Sequence, residues 1–431
     1  MKKEVRKKAV IIGVVIGALI LCTVLILINV FSKQVNKISR LEEIETKQYS
    51  TAPTVGTESE LNEFTYTKDD TAKTVTLTEY NNTTNTSLTI HSKYLVGGIV
   101  YKTIVKPYMS WGNSYLIKDN VTALIFEDGV EIEASSMLSN TKVKNVDMGK
   151  AKIIGTSIGW MFSGCTDLTN VKLEGLDTSN ITDMQGMFYG CSGLTNIDLS
   201  ALNTSNVTNM YNMFANCSSL TNINLSMLNT SKLTNMEEMF KGCSALTSID
   251  LSNLDLSKVT KKLRMFDACS EVETINLSNV ILPVDSSYMF QSRSNSLKKL
   301  TSINLSNINT TNVTNMEQMF NGCSALKSID LSDFNTVNVT SMYAMFMECS
   351  SLTSIDLSVL NTSKVTNIGN MFSGCSALRN IDLSNLDLSN IKTMVNQFNN
   401  LKSLTSINMN GVDMSNVTSV DYMFNKCSLL T

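Results

Sequence analysis

Histidine is almost missing: the chain has one, His91, in 431 residues. A single imidazole forbids paired-histidine metal sites and most hydrolase triads, unless His91 is itself the base. No Gly-x-Ser-x-Gly accompanies it, and no Gly-x-x-x-x-Gly-Lys-Ser/Thr, His-Glu-x-x-His or EF-hand loop occurs. His91 therefore reads as a solvated or capped structural residue. Closely spaced cysteine pairs are also absent, although there are ten cysteines, so the usual zinc frameworks are excluded. A basic excess is lacking. The net charge is −3, and no general affinity for nucleic acid follows from it. Carboxylates are present, but they recur at the same places, whereas catalysis needs a singular pocket. The expectation is a non-enzyme with no cofactor, no metal, no small-molecule substrate and no nucleic-acid partner.

Charge is wholly missing from one stretch, Ala9 to Phe31, "AVIIGVVIGALILCTVLILINVF", which follows Lys2, Lys3, Arg6, Lys7 and Lys8. At about 1.5 Å per residue it is long enough to cross a hydrocarbon core of about 30 Å. It exceeds the apolar region of a cleaved signal, about 7–15 residues, and no Ala-x-Ala follows it. Leu21, before Cys22, is not the small residue that lipidation requires. The expected layout is a cytoplasmic tail at 1–8 and an uncleaved signal-anchor at 9–31, a cleaved signal being the alternative. Residues from 33 onward then lie outside the cell, at its surface. Residues 32–61 are polar, mixed in charge and poor in apolar side chains, and read as a stalk. Residues 62–155 read as a small β cap with irregular first rungs. Within them "FTYTKDDTAKTVTLTEY" and "TSLTIHSKYLVGGIVYKTIV" alternate apolar and polar residues as half-buried strands do.

What the chain does have is repetition. Met-Phe recurs at Phe162, Phe188, Phe214, Phe240 and Phe266, each 26 residues after the last. A disturbed copy ends in Phe290, after which Phe320, Phe346, Phe372, Phe398 (as Gln-Phe) and Phe424 resume the beat, eleven copies in all. Around Phe290 two residues are lost before and four gained after, a change that an exposed loop is expected to absorb. A recurring Leu-x-x-Ile-x-Leu segment, such as Leu246, Ile249 and Leu251 or Leu352, Ile355 and Leu357, reads as a strand. The limb "VTNMEEMFKGCSA" places Met236, Met239, Phe240 and Cys243 at i, i+3, i+4 and i+7, the face of a short helix or helical turn. One rung cannot bury that face alone, but stacked rungs can. The fold class is thus an α/β-type solenoid of about eleven 26-residue rungs over 156–431, with a parallel strand face. Strands about 4.8 Å apart would make it a rod of roughly 50 Å.

One cysteine per rung at a fixed phase reads as a buried column of reduced thiols. Disulfides between successive rungs would have parallel side-chain vectors, a poor match to the bond's geometry. The methionines fall at the same core phase and read as packing.

The combination Met-Phe-x-x-Cys-Ser-x-Leu-x-x-Ile-Asp-Leu-Ser, repeated over about 156–431, resembles the bacterial surface-protein 26-residue repeat family, the BspA-like leucine-rich repeats. The resemblance implies exported cell-surface proteins, some of them implicated in adhesion to host matrix or other cells. Two departures stand out. The consensus asparagine after the strand comes one position late (Asn203 follows Leu202), so no buried asparagine ladder is assumed. The chain also stops mid-rung at "CSLLT", which is expected of a fragment or a frayed end.

Between the buried Ile and Leu of each strand one position points outward: Asp198, Asn224, Asp250, Asn276, Asn304, Asp330, Asp356, Asp382 and Asn408. This stripe of short carboxylates and amides is the candidate ligand-binding surface, with solubility and inter-rung hydrogen bonds as its plainer role. It lacks the aromatic and arginine anchors of tight interfaces, so contact there would be broad and multivalent. Variable positions on the other limb, such as Tyr189, Tyr211, Arg264 and Tyr343, are the rival contact surface. The expected function is non-catalytic binding of a protein or glycan on a host or neighbouring cell, as an adhesin. A structural spacer rod and a host-receptor-directed immune-modulating protein are the alternatives.

Overall fold

The structure is a computed structural model that describes residues 54–107, 109–110, 113–114, 116–292 and 296–431. The basic tail, the signal-anchor expected at 9–31 and the stalk as far as residue 53 lie outside the described residues. Among the described residues, no helix is long and apolar enough to cross a membrane.

In chain order the first elements are β1 (Val55–Gly56), α1 (Glu58–Leu61), β2 (Phe64–Asp69), β3 (Thr74–Tyr80), β4 (Ser87–Ile90), β5 (Lys93–Val96) and β6 (Ile99–Val105). There follow β7 (Met109–Ser110), β8 (Asn113–Ser114), β9 (Ala123–Phe126), β10 (Glu131–Ile132), β11 (Asn145–Asp147), β12 (Lys152–Ile153) and β13 (Asn170–Lys172). The compact unit begins at Val55. β1 pairs in parallel with β5. Thr57 and Glu60 cap α1 reciprocally: the Thr57 hydroxyl accepts from Glu60 N at 3.2 Å, and Thr57 N donates to the Glu60 carboxylate at 2.7 Å. That cap sends Leu61 fully into the core. Residues 55–61, expected to belong to the stalk, are thus part of this unit, because this short polar segment carries its own helix-start signal.

Two antiparallel hairpins, β2–β3 and β5–β6, begin the unit, and β3 lies parallel to β6. From here the chain winds. β4, β9, β11 and β13 form one parallel series, and β6, β10 and β12 another. Strands of the cap region are thus the opening strands of the solenoid's own faces. Further on, β14 (Asn222–Asn224), β15 (Ser248–Asp250), β16 (Thr274–Asn276) and β17 (Ser302–Asn304) align Ile223, Ile249, Ile275 and Ile303. β18 (Asn380–Asp382) and β19 (Ser406–Asn408) align Ile381 with Ile407.

The returning limb is not helical, so the α/β description gives way to a β-solenoid. It is a run of β-turns: Met239 N donates to Met236 O, Lys241 N to Glu238 O and Cys243 N to Phe240 O, at 3.3, 3.1 and 3.0 Å. Glu238 and Gly242 have φ of 55° and 76°, and a left-handed residue in each turn stops i→i+4 bonding from continuing. The alternate amides, of Met236, Glu238, Phe240 and Gly242, donate instead to the next rung's Lys261, Leu263, Met265 and Asp267 carbonyls, at 2.7–3.0 Å. The inward face still holds Met236, Met239, Phe240 and Cys243, all buried. Chained turns reproduce a helix's side-chain spacing, which is why the sequence pattern alone reads as helix.

The same ladder reveals a rung that lacks the Met-Phe signature. Ser136, Leu138 and Asn140 donate to Gly159, Met161 and Ser163 at 2.9, 2.9 and 2.7 Å. Leu138 stands where the others have Phe, and Thr141 where they have Cys. Counting it, twelve rungs share this limb.

Stacked rings run through the core. From Phe162 to Phe424 successive phenylalanines lie 5.3–6.4 Å apart, within 16° of parallel. Phe290 keeps 5.8 Å to both Phe266 and Phe320, so the irregular spacing around it leaves the stack intact.

Each described cysteine is free, and each donates its thiol to the carbonyl of the preceding rung's aromatic position, as Cys243 Sγ does to Phe214 O at 3.1 Å. Cys165 reaches Leu138 O, and Cys427 reaches Phe398 O. The side chain is therefore more than filler: it is a small apolar group with one weak donor aimed at a buried carbonyl. Burial pushes the Cys243, Cys323 and Cys375 thiols up to about 12.

Candidate binding surface

Strand pleating turns Ile and Leu inward and leaves the side chain between them outside. The nine stripe residues occupy that place. Pairing puts Asn224, Asp250, Asn276 and Asn304 side by side, and Asp382 beside Asn408. Asp198, Asp330 and Asp356 hold the same phase in rungs where no strand is formed. All nine perform one local task. Each side-chain oxygen accepts the backbone N–H two residues on, at 2.9–3.1 Å, from Ser200 N on Asp198 to Asn410 N on Asn408. These caps turn the chain out of the strand. Asn276 also donates to Asp250 at 3.1 Å, and Asn304 to Asn276 at 3.0 Å. The Ser200 backbone N–H holds the Asp198 carboxyl below its ordinary range, and Ser332 does the same for Asp330. One carboxylate oxygen of each acidic stripe residue is thus committed to a cap.

Threonine columns add to the scaffold. Thr182, Thr208, Thr234 and Thr260 donate to Thr156, Thr182, Thr208 and Thr234 carbonyls of the rung before, at 2.9–3.4 Å. A second, buried column has Thr204 donating to Asn229 O at 3.0 Å and accepting from Asn229 N at 2.8 Å. It stops where Leu256 and Leu388 replace threonine, and Thr230 and Thr362, just before those rungs, leave their hydroxyls without a partner.

The turn limb is different in kind. Outside its Met, Phe and Cys positions it changes from rung to rung: Gly159, Trp160 and Ser163 become Gln185, Gly186 and Tyr189, then Tyr211, Asn212 and Ala215, then Glu237, Glu238 and Lys241. Every tyrosine and the only tryptophan of residues 156–431 lie at these positions: Trp160, Tyr189, Tyr211, Tyr288, Tyr343 and Tyr422. Tyr189, Tyr211, Arg264 and Tyr343, the rival contact residues, are all on this limb. Around Arg264 and Tyr288 a surface depression of about 230 Å³ also includes Glu237 and Asp267. Lys241 and Arg264 pair with Glu238 at 3.0 and 3.5 Å.

Beside this depression lies a residue that sequence reasoning passed over. Lys262 stands 26 residues after Met236, in the methionine column, and is buried. Its ammonium lies 3.9 Å from Asp285, and burial lowers its pKa. The repeat phase alone would have found it.

Among the described residues, no group of three or more His, Cys, Asp or Glu is placed to hold a metal ion. His91 is held between two carboxylates: its Nδ1 is 3.0 Å from Glu127 and its Nε2 3.7 Å from Glu60. This is the capped arrangement.

A family model described as "Mycoplasma protein of unknown function, DUF285" matches residues 156–280, 284–410 and 352–431. No curated protein matches the chain. Among solved structures, it is similar to a leucine-rich repeat protein from Bacteroides ovatus at 16% identity and TM-score 0.29, covering 80% of this chain and 97% of that one. A leucine rich cell surface protein from Faecalibacterium prausnitzii gives 18%, TM-score 0.28, and 84% and 96% coverage. The functional domain of InlJ from Listeria monocytogenes, which includes a cysteine ladder, gives 15%, TM-score 0.19, and 68% and 59% coverage.

Proposed function

The chain belongs to the family described as Mycoplasma protein of unknown function, DUF285, and from that premise we propose that it is a non-catalytic cell-surface binding protein, an adhesin. One observation carries this reading: side chains that differ between rungs are gathered on the outward side of one limb, while the rest of each rung repeats. A rod that only separates two points has no use for such concentration. The proposed setting is a membrane anchor at residues 9–31 with the array outside the cell, which rests on the basic flank and the uncharged run. The partner is a protein or glycan on a host or neighbouring cell, engaged by many weak contacts that gain strength from their number. The nine-residue stripe is one contact surface and the variable limb the other.

The monotony of the strand face favours a second reading, the spacer rod, since its acidic and amide side chains already serve as caps. The test is binding of the full chain to immobilised matrix proteins, mucins and whole cells, with an Asp250→Lys, Asp330→Lys, Asp356→Lys variant in parallel. Saturable binding to one class supports adhesion, and its loss in the variant assigns the strand face. A folded chain that binds none of them leaves the spacer.

A further inference from the structure

We propose that the turn limb of the first three Met-Phe rungs is a carbohydrate-binding platform for neutral sugars, with Trp160 as the stacking plate. This rests on the binding-protein reading above and assigns it a place and a ligand class.

The plate is built by a glycine. A Cβ on Gly186 would collide with Cε3, Cζ3 and Cδ2 of Trp160 together, and near-equal approach to three ring atoms means that the six-membered ring lies face-down on the next rung. Gly186 has φ 57°, and it is the only glycine among the first left-handed positions of the eleven Met-Phe rungs. Trp160 is half-buried, so part of its ring stays open to solvent. Tyr189 meets it at 5.6 Å between centroids and 65° between planes, making a raised edge. Tyr211 lies alongside, its carbonyl accepting from Gly186 N at 2.7 Å.

The polar atoms of these rings are unengaged. The indole N–H of Trp160 and the hydroxyls of Tyr189 and Tyr211 have no hydrogen-bond partner among the described residues, which leaves them free for a ligand. Around them the limb is uncharged. The accessible side chains at the variable positions of these rungs are Trp160, Ser163, Gln185, Tyr189 and Tyr211, and the preceding rung adds Ser135 and Ser136. The nearby Asp183 carboxylate is occupied by Ser157, Gln185 and Asn209, at 2.9–3.1 Å. Rungs four and five, with Glu237, Glu238, Lys241, Arg264 and Asp267, have no such neutral field.

A flat aromatic face, rimmed by groups that both donate and accept, matches a pyranose ring. Its C–H face lies on the aromatic ring, and its hydroxyls reach the rim. A charged partner would meet no counter-charge here. A protein partner of ordinary affinity would be expected to find arginine beside the aromatics, and these three rungs have none.

The test is titration of the full chain, held in a sugar-free detergent, with neutral oligosaccharides of glucose, galactose and N-acetylglucosamine. Heparin and sialyllactose serve as charged controls. Tryptophan fluorescence and calorimetry report binding, and thermal melting reports folding. The expected result is saturable binding of a neutral oligosaccharide, weakened at least tenfold in Trp160→Ala and severalfold in Tyr189→Phe, which keeps the ring and removes the hydroxyl. No neutral sugar bound, binding of the charged controls only, or binding indifferent to both ring variants would overturn the platform. Adhesion to matrix protein in the presence of such a failure would keep the binding-protein reading and discard only its assignment to this limb.

Discussion

The cysteine that recurs in nine of the rungs shows how much one side chain does here. It fills a core position and gives a buried carbonyl a second donor, and its thiol is kept protonated by burial. Eight of the described cysteines are buried and only Cys427 is partly accessible. Among these, a thiol reagent added to the native protein should label Cys427 alone, with the others reacting only on unfolding. Mass spectrometry of labelled peptides checks this, and fast labelling of Cys243 would refute the column. Lys262 is the opposite case, a cation in a slot built for methionine. Lys262→Met is expected to raise stability by about 1–3 kcal/mol in chemical denaturation near neutral pH, because Asp285 is exposed enough to stay solvated alone. Its pKa is lowered in the fold, so the unfolded chain binds more protons and the parent gains stability as pH rises toward 10.5. The advantage of the methionine variant should narrow over that window.

At the scale of the element, the limb is governed by its left-handed positions. The second of these is glycine at Gly164, Gly190, Gly242, Gly322 and Gly374, but alanine at Ala268, with φ 61°. Ala268→Gly should stabilise by about 1 kcal/mol, since an L side chain in that region is strained. Gly242→Ala should lose at least as much, because its Cβ would also strike Asn216 Oδ1. Melting temperatures of the two variants should move in opposite directions. The strand caps have their own signature. Asp330, Asp356 and Asp382 have pKa values depressed by the Ser332, Ser358 and Ser384 groups they cap. Carboxylates depressed in the fold stabilise it above the unfolded value of 3.8, and that stability drains away as pH falls through the folded values. Replacing all three by Asn, which other rungs use at this place, should leave the fold intact and flatten its loss of melting temperature below that pH. These elements also mark the limit of the sequence. Met236, Met239, Phe240 and Cys243 were legible as one buried face, but chained turns and a helix put side chains at the same spacing. Only the torsions at Glu238 and Gly242 tell them apart, and glutamate carries no turn signal. The rung at Leu138 was hidden because Leu and Thr replace Phe and Cys in it. The stripe was legible as an outward line, but its capping work was not, because that depends on the chain turning just after each strand.

In the whole molecule, each rung touches only its neighbours, so damage should stay local before it spreads. Phe240→Ala would open a gap in the stack worth about 3–5 kcal/mol. Hydrogen exchange should rise first at the amides of Phe214, Phe240 and neighbouring turns, leaving β18 and β19 protected. Uniform loss of protection would instead mean a single cooperative unit. The ring stack around Phe290 carries a further consequence, which concerns inheritance. Neighbouring phenylalanines there are separated by 24 and then 30 residues in sequence, yet their rings sit 5.8 Å apart on both sides. Register is therefore read ring by ring, and the length of chain between rings is free to vary. A gene built of repeating 78-base units invites unequal recombination, and every crossover that joins like phases yields a foldable product. Related strains should consequently differ in whole numbers of rungs, with odd-length insertions confined to the turns. The reach of the molecule would then be adjustable by copying alone, without the invention of a single new contact.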